Sequence, residues 1–231
     1  MKTGMMIMLT LLMGFAAAGT GCASGCPKPN LDLAVCDPGA TFSLEIDNPF
    51  FPLELGRQLV LEGNEGKTVV RVEINVLDET EEVAGVTCRV VQEAEYEDDE
   101  VVEISRNFYA QASDGTVCYF GEDVDVYKGG QVVDHPGSWR AGEGDNRPGI
   151  MMPADPQPGE VGYQEWAPGV AKDMASYEER DVSVTTPAGT FEGTLHNHDC
   201  NPMDGSKDDK YYAPGIGLVV DGPARLVSHT P

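Results

Sequence analysis

The sequence predicts an all-β fold, an antiparallel meander curled into a barrel or a curved half-barrel. Three observations carry that expectation. Apolar residues recur with a period of two, turn residues interrupt them at hairpin spacing, and no long stretch shows the helical period. Val70, Val72, Ile74 and Val76 alternate with Arg71, Glu73 and Asn75, the pattern of a strand with one face buried. Val86, Cys88 and Val90 alternate in the same way with Thr87 and Arg89, and Val102, Ile104 and Phe108 with Glu103, Ser105 and Asn107.

Between these runs lie Gly63-Asn64-Glu65-Gly66, Glu97-Asp98-Asp99 and Ser113-Asp114-Gly115, followed later by Lys128-Gly129-Gly130 and Pro187-Ala188-Gly189. Glycine supplies the positive φ that a tight reversal needs, and connections this short join antiparallel neighbours. The best helical candidate is one short run, residues 171–179, which also reads as extended chain. A sheet of this size twists and must protect its edges, hence the expectation of curling. Residues 136–170 interrupt the meander with six prolines (136, 148, 153, 156, 158 and 168). Their apolar anchors, Trp139, Ile150, Met151, Met152 and Trp166, predict a packed cover over the core rather than a loose loop.

The chain has 231 residues, with 39 acidic against 15 basic side chains and a formal net charge of −24. Such a balance disfavours nucleic acid and anionic headgroups as partners, because both would be repelled. Apolar residues at 41% suffice for a core.

The first residues give an address. Lys2 precedes an apolar run from Met5 to Ala18, too short for a membrane span, and small residues lead on to Cys22 and Cys26. This arrangement resembles the lipobox of bacterial lipoproteins, in which a cysteine is acylated and becomes the new N-terminus. The expected organisation is a signal peptide over residues 1–21, an acylated N-terminus and tether over 22–41, and one β-domain over 42–231. Cys22 is the favoured acylation site and Cys26 the alternative. Acylation at Cys22 leaves five thiols, an odd number for an oxidising compartment, whereas acylation at Cys26 leaves four. The disulfide candidates are Cys36, Cys88, Cys118 and Cys200. A Cys88–Cys118 bridge is feasible, and Cys36–Cys200 or Cys26–Cys36 are the other obvious pairs.

Of the residues that could carry chemistry, His196-Asn197-His198-Asp199-Cys200 is the sharpest group. On a strand His196, His198 and Cys200 share a face, and two imidazoles with a thiolate suit copper or zinc. Phe191 and Leu195 occupy the opposite face, which turns the triplet toward solvent. The acidic turns at 97–100 and 204–209, and Asp123 with Asp125, lack the spacing of a calcium loop. Asp134, His135 and Ser138 are triad residue types, but Pro136 and Gly137 make their segment a turn. No nucleophile elbow and no phosphate-cradling loop occurs.

Several segments together resemble a group of uncharacterised bacterial secreted lipoproteins. These are Asn48-Pro49-Phe50-Phe51-Pro52-Leu53, the stretch from Phe108 through Asp114-Gly115 to Glu122, and Pro148–Pro156 (PGIMMPADP). Thr186–Phe191 (TPAGTF) and Tyr211–Val219 (YYAPGIGLV) complete the set. The last two recur more loosely in periplasmic half-barrel lipoproteins, some of which shelter acyl chains. The resemblance implies a β-rich, lipid-anchored protein of the outer membrane or cell surface and carries no catalytic residue across. The expected role is non-enzymatic, with the membrane engaged through N-terminal acyl chains. A hydrophobic or small ligand, or an envelope partner, would then be bound by the domain. Metal binding through His196, His198 and Cys200 stands second, and an enzyme with a scattered site third.

Overall fold

The computed structural model describes residues 25–230. The expected signal peptide and Cys22 lie outside the described residues. The first strands are β1 (Phe42–Ser43), β2 (Gln58–Glu65), β3 (Thr68–Val83), β4 (Val86–Glu97) and β5 (Glu100–Ala112). They are followed by β6 (Val117–Lys128), β7 (Gln131–Asp134), β8 (Trp139–Arg140), β9 (Gly149–Met152) and β10 (Val161–Tyr163). The last are β11 (Met174–Thr186), β12 (Gly189–Cys200), β13 (Lys207–Ala213), β14 (Gly217–Asp221) and β15 (Ala224–Thr230). No α-helix occurs among the described residues, and within the segment 171–179 residues 174–179 form the start of β11.

All pairings are antiparallel and join one sheet in the order β10-β11-β12-β13-β14-β15-β2-β3-β4-β5-β6-β7. The last strand, β15, pairs with β2, so the two ends of the meander meet in mid-sheet. The sheet curls into a half-barrel that hydrogen bonding does not close. Its open seam is narrowed by β8 and β9, both paired with β6, and by a single bridge between Arg147 and Trp166. Two glycines make that seam possible. Gly121 sits at φ 136°, where a Cβ would strike the Trp139 carbonyl, and a Cβ on Gly149 would strike the Gln164 carbonyl. Residues 136–170 thus form part of the wall of the half-barrel, where a cover over its interior was expected.

The described part of the tether expected over 22–41, residues 25–41, also lies against the sheet. Asn30 donates through Nδ2 to the Gly159 carbonyl (2.9 Å) and accepts from the Val161 amide (2.8 Å). Cys26 bonds to Cys200 and Cys36 to Cys118. These pairings replace the expected Cys88–Cys118, Cys36–Cys200 and Cys26–Cys36 bridges. Ala110 pairs with Cys118 and Tyr109 with Arg89, so Cys88 and Cys118 lie two strands apart across β5. At ~4.8 Å per strand that separation exceeds the reach of a disulfide. Cys88 stays free and buried, its thiol pushed up to about 12, chiefly by burial. The two disulfides fit an oxidising location outside the cytoplasm.

The N-terminal segment also covers the outer face. Phe42 meets Phe120 edge-on at 5.2 Å, and both faces of β5 are buried from Asn107 to Ala112. The strand alternation of β5 is therefore correct, and Phe108 is buried as expected, but the opposite face is not the exposed one. Glu103, Ser105 and Asn107, the polar set of β5, point into the half-barrel and are buried there.

Candidate functional site

The mouth of the half-barrel is crossed by residues 44–57, a strap containing the Asn-Pro-Phe-Phe-Pro-Leu motif. Asn48 is its hub. The Asn48 amide donates to Gln111 Oε1 (3.1 Å), and its Nδ2 donates to the Gly115 (3.0 Å) and Pro153 (2.9 Å) carbonyls. Its Oδ1 accepts from the Phe50 amide (3.0 Å). Gly215 N donates to the Pro49 carbonyl (2.7 Å), and Arg57 Nη1 donates to the Gly215 and Ile216 carbonyls (3.0 and 3.1 Å). Four of the sequence motifs therefore meet at this strap, with Asp114-Gly115, Pro153 and Pro214-Gly215-Ile216 all contacting or adjoining Asn48-Pro49.

Phe51 reaches inward and packs against Tyr109 (5.3 Å between ring centroids) and Tyr212 (6.3 Å). Beneath it, between Leu59, Val91, Glu93 and Asn107, is a cavity of about 30 Å³. That volume accommodates a water or two and no acyl chain. The Tyr212 hydroxyl and Glu93 Oε1, both buried, have no hydrogen-bond partner among the described residues.

Deeper inside, the half-barrel is acidic. In register, Glu93 faces Ser105, Glu95 faces Glu103, and Lys210 lies opposite both Asn197 and Asp221. Lys210, 2% exposed, places its ammonium 3.3 Å from Asp221 and 3.4 Å from Asp199. Burial pushes the Asp199 carboxyl up to about 7 against the opposing pull of Lys210. Glu93 rises to about 8 through burial and then the charge of Asp221, and Glu103 to about 8 through burial. Glu165, raised by burial and then by Glu122 and Asp173, lines a void of about 10 Å³ with Asp173, Asp199 and Lys210. Glu93, Glu103, Glu165 and Lys210 are buried, while Asp173 and Asp199 at the edge of the group are half-buried.

The largest of these spaces lies on the flank of the strap. A groove of about 300 Å³ runs between its two limbs, which are joined by Leu53 N donating to the Ile46 carbonyl (3.0 Å). Leu44, Ile46, Leu53 and Leu55 wall it, Glu45, Asp47 and Glu54 rim it, and Arg89 forms its floor. The sequence alternation assigns Arg89 to an exposed face. It is buried because the strap and the N-terminal segment cover that part of β4.

His196 and His198 pair with a carboxylate. Cys200 is consumed by Cys26, so the His196-His198-Cys200 triplet cannot ligate a metal. His196 Nε2 and His198 Nδ1 both contact Asp209 Oδ1, at 2.9 and 3.0 Å, and His196 stacks on Tyr211 at 4.5 Å. Partial burial acts upward on Asp209, but hydrogen bonds from the two histidines hold its carboxyl below the usual value. Among the described residues no group of three His, Cys, Asp or Glu side chains is arranged to hold a metal ion. His135 contacts Asp125 (2.8 Å), while Ser138 Oγ accepts from the Val124 amide (2.9 Å), so these residues form no triad. Cys26, the alternative acylation site, has its thiol in a disulfide.

Together these features define a class: a disulfide-stapled all-β half-barrel with a strapped mouth and an acidic, closed interior. No protein-family model, curated protein or solved structure matches the chain.

Proposed function

We propose that the protein is exported to the bacterial cell envelope, anchored there through acyl chains on Cys22, and acts without catalysis by binding a small ligand with an apolar part. The carrying observation is the groove of about 300 Å³ between the limbs of the strap, walled by leucine and isoleucine side chains. Its size falls at the lower end of small-molecule sites, and its mixture of apolar walls with a few polar groups is typical of them. The envelope address is supported by the two disulfides and by the leader pattern. Cysteine pairing supports Cys22 for acylation, because Cys26 is bonded to Cys200 and the odd thiol, Cys88, is buried. Motif similarity to secreted bacterial lipoproteins points the same way.

Native mass spectrometry of the mature protein, extracted gently from its membrane, tests both parts. The expected spectrum carries an acyl mass that disappears in Cys22→Ala, and a second, non-covalent small-molecule mass lost on denaturation. A protein with neither mass would refute the reading.

A further inference from the structure

Arg89 is out of keeping with its surroundings. The chain has 39 acidic side chains, so carboxylates are not scarce. Arg57, also buried, is paired with Glu54 at 3.3 Å and with two carbonyls. Arg89 is 9% exposed, yet the only side-chain hydrogen bond it makes among the described residues is a long one, from Nη2 to the Leu44 carbonyl at 3.5 Å. Its buried Nε has no partner. A buried guanidinium presents a rigid fork of donors matched to a carboxylate, and leaving that fork unfilled is unfavourable. This one lies on the floor of the groove of about 300 Å³, where an entering molecule meets it directly.

The rim limits what that molecule can be. Glu54 is tied to Arg57 and Asp47 to Gln111 Nε2 (2.6 Å), but Glu45 has no ion pair among the described residues. A simple anion would be opposed by these three rim carboxylates and by the net charge of −24. A simple amine would leave Arg89 unmatched. An acyl chain would outgrow the groove and run out over the acidic rim.

Resting on the binding reading above, we infer that the groove takes a small zwitterion with an apolar side chain, an α-amino acid or short peptide of the leucine type. Its carboxylate pairs with the Arg89 guanidinium, its ammonium faces Glu45 at the rim, and its side chain packs between Ile46 and Leu53. Nothing covalent happens, so the site is one of capture.

Isothermal titration calorimetry on the disulfide-intact mature protein tests this with four probes: leucine, leucyl-leucine, N-acetyl-leucine and leucinamide. Leucine or leucyl-leucine should bind. N-acetyl-leucine, lacking the ammonium, and leucinamide, lacking the carboxylate, should each bind at least about tenfold more weakly. Arg89→Gln should abolish binding and Arg89→Lys restore part of it, with unchanged circular dichroism showing that both variants fold. Glu45→Gln should remove the preference for leucine over N-acetyl-leucine. Equal binding of N-acetyl-leucine and leucine, no binding of any probe, or binding unaffected by Arg89→Gln would overturn the inference. The two levels fail separately. A native-mass adduct that is not a zwitterion but is lost in Arg89→Gln keeps the groove and discards the ligand class. An adduct that persists in Arg89→Gln discards the groove itself.

Discussion

Two of the buried cations of this half-barrel, Lys210 and Arg89, sit in opposite circumstances. Lys210 lies deep inside, with Asp199 and Asp221 within 3.4 Å and Glu93 nearby. Arg89 lies under the strap with no carboxylate partner among the described residues. The first is over-supplied with negative charge and closed to solvent, which suits a structural element. The second is under-supplied and opens onto a groove, which suits a group waiting for a partner from outside. The two groups are alike in burial and differ in the balance of charge around them.

The comparison is broken most forcefully at Lys210. Lys210→Met removes the one ammonium from a cluster of buried carboxylates and leaves Asp199 and Asp221 uncompensated. Breaking a buried pair from one side destabilises by about 3–5 kcal/mol. Urea unfolding should show a midpoint lower by that equivalent, and adding Asp199→Asn and Asp221→Asn to the same variant should recover much of it. A midpoint that stays put in Lys210→Met would mean that the interior carboxylates are already neutral without it.

Acidity gives the next largest effect. Glu93 and Glu103 titrate at about 8 in the folded protein, Asp199 at about 7 and Asp173 at about 6. Unfolded carboxyls titrate near ~4. The folded state thus holds more protons between these limits. Stability from these groups is complete at the acidic end and lost as pH rises through about 6 to 8. Lys210 is raised above its ordinary range and keeps its charge throughout that window. The urea midpoint should be higher at pH 5 than at pH 8.5, and Glu103→Gln should flatten the slope. A midpoint that rises with pH would show these carboxyls to be ionised and paired.

Much of the meander was legible because β3, β4 and β5 carry strand alternation and their turns carry glycine or Asx residues. The allocation of faces held for the apolar sets of β3 and β4 and failed for Arg89 of β4 and the polar set of β5. On β5 two of the apolar set, Val102 and Ile104, are half-buried and only Phe108 is buried, while Glu103, Ser105 and Asn107 are buried inside. Period-two reasoning assumes that polar means exposed, and a half-barrel with an acidic interior inverts that assumption. Arg89 was missed for the same reason, since its burial comes from residues 44–57, far away in sequence. The disulfides escaped because Cys36 and Cys118 meet only once the N-terminal segment folds back over β6. The strap itself was visible as a motif, but its partners at Gly115, Pro153 and Gly215 belong to three separate turns.

Asn48 is where the strap's attachment can be tested with a smaller change. Asn48→Ala removes two donations from Nδ2 and the acceptor for Phe50 N, leaving the Gly115 and Pro153 carbonyls without that partner. The expected loss is about 1–3 kcal/mol. It should be concentrated locally, with faster hydrogen exchange at the amides of Phe50, Phe51 and Leu53 than on β12 and β13. Uniform acceleration across the sheet would show that the strap is part of the global folding unit and not a separable cover.

Arg89 supplies the smallest effect and the sharpest contrast with Lys210. Arg89→Leu replaces an unpaired buried cation with an apolar side chain beside Leu44, Ile46 and Leu53. The transfer of an unsatisfied guanidinium out of water is removed, and leucine fits the walls already present. Stability should change by less than about 1 kcal/mol and in the favourable direction, whereas Lys210→Met is strongly destabilising. A paired structural arginine would behave like Lys210, because its removal would strand a carboxylate. If Arg89→Leu instead lowers the urea midpoint as far as Lys210→Met does, the guanidinium is held by the protein itself. The groove would then lose the feature that singles it out.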